Sequence, residues 1–449
     1  MRIVLFSLVL LAAVLPTTGV SAEPAFPGAV GWAAETVGGR GGRIIRVTTL
    51  AADGPGSLRA ALAAKGPRIV VFEVGGVIDL GRTTLEITEP YLTIAGQTAP
   101  SPGITIIRGG IDLRAHDVIV RHIRIRTGAD GQPRMSGWEA DSFSTVGAWN
   151  VIVDHCTMTW GIDENLSASG PRFTGATVDE WRTGTSRNVT FSYNLLAEGL
   201  ADSSHPKGEH SKGSLLHDNA TGILIYRNIY AHNVERSPLL KGGVQAAVVN
   251  NLIYDPGKRA IHYNLMALEW AGHDYVTGEL AAVGNVMRGG PSTDERLPFL
   301  MLGGDGDLRY YGHDNIAVDR HGVALPMFGR YGETRARLIE AETPSPWPAS
   351  LEVIEARDVE THVLASAGAR PWDRDEHDLR VLFFVAEGRG EIIDDESRVG
   401  GYPKVAPTSA PFVEADWNLE TMEPKSGRYP GQQAPLQENL STRDRAMRR

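Results

Sequence analysis

The chain has 449 residues, 44 Lys and Arg against 54 Asp and Glu, and a formal charge of −10. This acidic balance argues against nucleic acid as a partner, because phosphate binding needs a basic footprint. A single cysteine, Cys156, excludes an internal disulfide framework, and its apolar-alternating surroundings mark it as a small buried residue.

Along the chain, Arg2, the apolar run at 3–16 and the small pair Ser21-Ala22 have the architecture of a secretory signal over 1–22, with cleavage expected after Ala22. The apolar run is shorter than the roughly 20 residues a membrane span requires, so export without a membrane anchor is expected. Next comes a glycine loop, Gly38 to Gly42. Gly54-Pro55-Gly56-Ser57 then leads into Leu58-Arg59-Ala60-Ala61-Leu62, where Ser57 is placed to cap a short helix that closes the first structural layer. The glycine loop lacks the Lys-Ser/Thr ending of a phosphate loop.

Seven segments then share a pattern: RHIRI from 121, DHCTM from 154, YNLLA from 193, RNIYA from 227, NNLIY from 250, GNVMR from 284 and DNIAV from 314. The polar residue at their second position predicts one column of rungs, His122, His155, Asn194, Asn228, Asn251, Asn285 and Asn315, spaced 33, 39, 34, 23, 34 and 30 residues apart. Such spacing is too irregular for helical repeats and natural for a coil with short strands and variable loops. Val- and Ile-rich strands precede most of the rungs, as at 118–120, 151–153 and 223–225, which fits an all-β parallel solenoid. The rung residues report fold, since a stacked Asn satisfies backbone groups that would otherwise be buried unpaired. After about residue 340 the ladder stops. A charged, Pro-bearing tail at 341–449 follows, with a helix expected from about 358 to 368, packing along the coil or capping it. The division is therefore signal 1–22, solenoid 23–340 and tail 341–449.

Charge is distributed unevenly. Carboxylates gather on two consecutive turns, Glu139 and Asp141, Asp154, then Asp163 and Glu164, and neighbouring strands about 4.8 Å apart let them converge on one hard cation such as Ca²⁺. Basic residues follow at Lys207, Lys212, Arg236 and Lys241, a local inversion that suggests an anionic ligand. His205, His210 and His217 are spaced by five and seven residues, which matches no zinc pattern.

With EADSF at 139–143, NVIVDHCTMTWG at 150–161, the lysine of HSKGSLL at 210–216, RSPLLKGG at 236–243 and the N-terminal GGRGG and GPGSLR segments, the sequence resembles the pectate and pectin lyases, the first polysaccharide lyase family, over about 25–320. The resemblance implies a right-handed single-stranded parallel β-helix and calcium-assisted β-elimination on a polyuronide such as polygalacturonate. Arg236 is then the expected base, Lys212 the group that grips the uronate carboxylate, and Lys241 a further substrate-binding cation. Asp141 and Glu164 become expected calcium ligands, Glu139 a third carboxylate that helps once substrate binds, and Asp154 as much a structural residue as a ligand. The family usually has a second carboxylate four residues after Glu164, where this chain has Ala168, and Asp163 is placed to compensate. A monomer is expected. Two other classes share the fold: a polygalacturonase-type hydrolase, which needs acid and base aspartates around a water and leaves Lys212 and Arg236 without roles, and a non-catalytic β-helix glycan-binding protein, which leaves both charge clusters idle.

Overall fold

The computed structural model describes residues 23–433. The expected signal at 1–22 and the end of the tail, 434–449, lie outside the described residues. Strands are three to six residues long along most of the chain, and each pairs in parallel with the strand one coil before and one coil after. Three long sheets result among the described residues, with eleven, ten and nine strands, in which lateral neighbours are three strands apart in sequence. This is the right-handed parallel β-helix.

The core is the inside of this coil. On the eleven-stranded sheet Val118, Val151, Val189, Ile223, Ala246 and Leu280 stand in lateral register and are fully buried. Val120, Val153, Phe191, Ile225 and Val248 form a second such stack two residues on. Branched side chains repeated at the interstrand spacing pack into one another without gaps, which explains the Val and Ile content of these strands. The helix Leu58–Leu62 closes the N-terminal end, with Ser57 Oγ accepting from the Ala60 amide and Leu58, Ala61 and Leu62 buried in the same core.

Between the eleven- and ten-stranded sheets runs the ladder, and here the structure corrects its sequence register. Asn194, Asn228, Asn251, Asn285 and Asn315 form continuous rungs: each Oδ1 from Asn228 onward accepts the backbone N–H of the preceding Asn at 2.8–3.0 Å. The Asn228 side-chain amide donates both to Asn251 Oδ1 at 3.0 Å and to the Phe191 carbonyl at 2.9 Å. His122 and His155 are not rungs. They stand one residue earlier, in the left-handed turn position (φ 59° and 48°) shared with Tyr193, Arg227, Asn250 and Asp314, and Cys156 occupies the rung position, its amide donating to Asn194 Oδ1 at 2.9 Å. Their rings stack outside the core, His122 on His155 with centroids 5.1 Å apart and His155 on Tyr193 at 4.6 Å. The buried Cys156 thiol is pushed up to about 12 by burial.

The tail lies along the coil. Its first helix runs Ala356–Ser366, two residues ahead of the expected start, and a second, Glu376–Glu387, was not foreseen. Val359, Val363, Val381 and Val385 seal the outer face of the ten-stranded sheet at Leu195, Ile229 and Leu252. Two buried arginines of that sheet, Arg124 and Arg126, meet Asp378 and Asp375, with Arg126 Nη2 2.8 Å from Asp375 Oδ1 and 2.9 Å from Asp378 Oδ1. Beyond them Thr408–Ser409 pairs antiparallel with Val74–Asp79 near the start of the coil. Among the described residues no helix is long and apolar enough to cross a membrane.

Replacing Asn228 by Ala strands buried donors and acceptors on two coils, at about 1–3 kcal/mol for each group left unpaired. Denaturant unfolding is expected to show a lower midpoint for this variant with little change in the rate of its chemistry.

Candidate functional site

The nine-stranded sheet carries Asp141, Glu164, Lys212 and Arg236 at or just before the starts of its strands, where the chain arrives from the loops after the ten-stranded sheet, and Lys241 at the end of the strand that follows Arg236. Phe143–Val146, Glu164–Ser169, Lys212–Leu216 and Leu239–Lys241 are consecutive neighbours in it. Glu164 is the lateral partner of Lys212, and Lys212 in turn bridges to Glu235. Acidic and basic side chains thus sit on adjacent coils, one strand spacing apart. Gly213 follows Lys212 because a Cβ there would collide with the Arg236 carbonyl oxygen, to which the Ser214 amide donates at 2.5 Å. Arg236 itself takes a left-handed backbone, φ 64°.

Asp141, Asp163 and Glu164 come together, each offering an oxygen within 4.8 Å of the others. Burial and then the charge of Asp163 push the Asp141 carboxyl up to about 7, against the hydroxyls of Ser167 and Ser144. Burial also raises Asp163, but His210, Arg236 and His205 outweigh it and hold that carboxyl down to about 2. Two buried carboxylate oxygens of this trio, Asp163 Oδ1 and Glu164 Oε1, make no hydrogen bond of good geometry and face His210 Nε2 and Arg236 Nη1. Three carboxylates crowded within 4.8 Å are the donor set a hard divalent cation takes, so the residues fit calcium. Glu139 is half-exposed and faces His205, with Oε2 3.1 Å from Nε2, rather than the trio. Ala168 points into the core, and it is Ser167 that faces Asp141, donating to Oδ2 at 3.0 Å. Asp154 is held elsewhere by Arg121 at 3.0 Å and Ser192 at 2.8 Å, which makes it structural.

Lys212 and Lys241 are buried, Arg236 is partly buried, and all three are paired. Arg236 Nη1 is ion-paired with Glu164 and lies 3.9 Å from Asp163. Lys212 Nζ is 2.5 Å from Glu235, and Lys241 pairs with Glu269. Burial lowers the Arg236 guanidinium from its ordinary value, with Asp163 and Asp141 opposing. Burial and then the charge of Arg259 bring Lys212 down to about 8. Lys207 is exposed on its loop and stands apart from this group. His217 lies beside Asp218, on the Lys241 side of the group, whereas His205 and His210 stack beside Asp163.

Sequence reasoning missed Glu235, which pairs with Lys212, and Arg259, which pairs with Glu235 from the other side. The signal was available: one coil here is 23 residues, the distance from Asn228 to Asn251, and adding 23 to Lys212 and Arg236 reaches both positions. Arg259 also lies over the Tyr331 ring, 4.7 Å from its centroid.

No family model matches the chain. Among curated proteins it is 32% identical over 391 residues to a probable pectate lyase C of Aspergillus flavus, covering 85% of this chain and 82% of that protein. It is 31% identical over 398 residues to the probable pectate lyase C of Emericella nidulans, covering 87% and 83%. Among solved structures, a pectate lyase bound to a hexasaccharide superposes with a TM-score of 0.53 at 15% identity, over 78% of this chain and 99% of that one. A second pectate lyase structure gives 0.52 at 15% identity over 78% and 98%. At such identity these two structures speak to the fold alone.

A carboxyl raised to about 7 in the folded chain, against roughly 3.9 when unfolded, favours the fold while protonated, and that stability is lost as pH rises from about 4 through 7. With chelator present, Asp141→Asn is therefore expected to melt above the parent at pH 8, an advantage that vanishes at pH 4. Calcium added at pH 8 should raise the parent's melting temperature more than the variant's.

Proposed function

Because the chain belongs to the pectate lyase family, we propose that it cleaves α-1,4-linked polygalacturonate by calcium-assisted β-elimination to unsaturated oligogalacturonides. The observation that carries this reading is the lateral contact between a carboxylate trio on two coils and buried cations on the next two.

Asp141, Asp163 and Glu164 would hold calcium, with Glu139 joining from the cleft edge. When bound, the ion supplies positive charge that acidifies the proton beside the uronate carboxylate. Lys212 donates to that carboxylate; it does so as an ammonium, and an incoming anion exchanges for Glu235 as its partner. Lys241 grips a neighbouring uronate, leaving Glu269 in the same way. Both exchanges favour a charged substrate over a methyl ester, which would leave buried cations unpaired.

Arg236 takes the proton at C5, and the C4 oxygen departs with a proton from solvent. Arginine is ordinarily protonated at any accessible pH. Burial works against that charge here, and a cation taking over Glu164 would remove the carboxylate that now stabilises it. The base form grows as pH rises, so turnover should climb through the alkaline range until Lys212 loses its proton.

A polymeric substrate also supports export and action outside the cytoplasm. The test mixes the protein lacking 1–22 with polygalacturonate at mildly alkaline pH, with calcium or chelator, and follows the ultraviolet absorbance of the new conjugated double bond. Absorbance that rises only with calcium is the expected result. Reducing ends without absorbance would mean hydrolysis, and neither signal would mean a binding protein. Arg236→Ala should lower kcat by about 10²–10⁴-fold while polygalacturonate binding persists; a smaller loss removes Arg236 as the base.

A further inference from the structure

We propose that Asp163, His205 and His210 form a second metal site, of mixed nitrogen and oxygen character, which takes a borderline transition ion such as Zn²⁺. Imidazole nitrogen prefers such ions, whereas calcium takes oxygen. The sharing of Asp163 with the calcium site, though not the new site itself, rests on the function proposed above.

The geometry begins with His210. Its Nδ1 lies 3.2 Å from the Glu209 carbonyl oxygen, an atom that can only accept, and this contact turns Nε2 toward Asp163. That nitrogen is 2.9 Å from Asp163 Oδ1, a buried oxygen with no hydrogen-bond partner. Two such atoms are brought together by a cation shared between them, a proton or a metal ion. The separation is also what two ligand atoms each about 2.0–2.1 Å from one zinc ion adopt when they subtend roughly a right angle. Orienting His210 through its other nitrogen is how metal-binding histidines are held.

His205 supplies the third donor. The ring is fully buried, stacks on His210 with centroids 3.4 Å apart, and its Nε2 has no hydrogen-bond partner, although Asp163 Oδ2 lies 3.7 Å away and Glu139 Oε2 3.1 Å away. One ligand atom from each of Asp163, His205 and His210 lies within 4.8 Å of the other two, and the Glu139 carboxylate is placed to complete four-fold coordination. The Lys207 amide points at His205 Nδ1 at 3.1 Å, so without metal this ring's proton sits on Nε2. Coordination moves that proton to Nδ1 through solvent, with the Lys207 contact given up and no net proton released from the ring. His205 and His210 both belong to one loop, 198–211, between strands of different sheets, which explains why their spacing does not follow a helical or hairpin zinc pattern.

Because Asp163, and at the cleft edge Glu139, serve both sites, a transition ion here withdraws carboxylates from calcium and antagonises it. The test titrates the chelator-stripped protein lacking 1–22 with Zn²⁺ against a chromophoric competitor, without polysaccharide, and records the visible bands of the Co²⁺ form. One equivalent is expected, with affinity falling at least 100-fold in His210→Gln and in His205→Gln, both checked for an unchanged circular dichroism spectrum, while calcium affinity stays within a few-fold. Asp163→Asn should weaken both ions. Absence of stoichiometric zinc binding, or binding indifferent to both histidine variants, overturns the site. Zinc binding retained in Asp163→Asn overturns the sharing. Because these readouts need no turnover, a chain that binds zinc without eliminating polygalacturonate would refute the lyase reading and leave the site standing.

Discussion

Each turn of this chain buries backbone amides and carbonyls where no water reaches, and the rungs from Asn194 to Asn315 are what make that tolerable. One side chain per coil accepts from the coil before and donates back into it, so consecutive layers cannot slide without leaving polar groups unpaired. Fixed layer registry has a chemical consequence. Residues 23 to 50 positions apart are held one or two strand spacings from each other, and the charged ends of the nine-stranded sheet inherit that precision. Loops are free to vary in length because strand spacing, not loop length, sets the distances across the cleft.

The cleft is an arrangement of opposite charges that neutralise one another. Arg236 with Glu164, Lys212 with Glu235 and Lys241 with Glu269 satisfy groups that would be costly to bury alone. Under the proposed function the same pairs are exchangeable: a divalent cation would compete for the carboxylates and an anionic polymer for the ammonium groups. Binding of both would replace ion pairs within the chain by protein–ligand ones, with little net charge brought into the fold.

The repeat was legible because Val and Ile strands and recurring Asn are local signals. Its exact register was not, since His and Asn both suit the left-handed turn position and so look alike in sequence. Only lateral pairing separates His155 in the turn from Cys156 on the rung. The charged clusters were likewise visible as residues, but not their partners. Glu235 and Arg259 emerge only once a coil is known to be 23 residues there, and the meeting of His205 with Asp163 depends on a loop whose path has no periodicity. Ala168 adds a detail that counting along the chain does not give: it stands where the resemblance expects a carboxylate, its side chain lies in the core, and Ser167 faces Asp141 beside it.

The tail changes the mechanics of the whole. A bare solenoid touches only nearest neighbours, so its ends can peel away layer by layer. Here the chain leaves the last coils, runs back across the ten-stranded sheet through Val359 and Val385, fastens on Arg124 and Arg126, and pairs Thr408 with Gly75 in one of the first coils. First and last layers are thereby tied by a return strap, and a filament that would fray becomes a closed circuit in which loosening any layer tugs on the others.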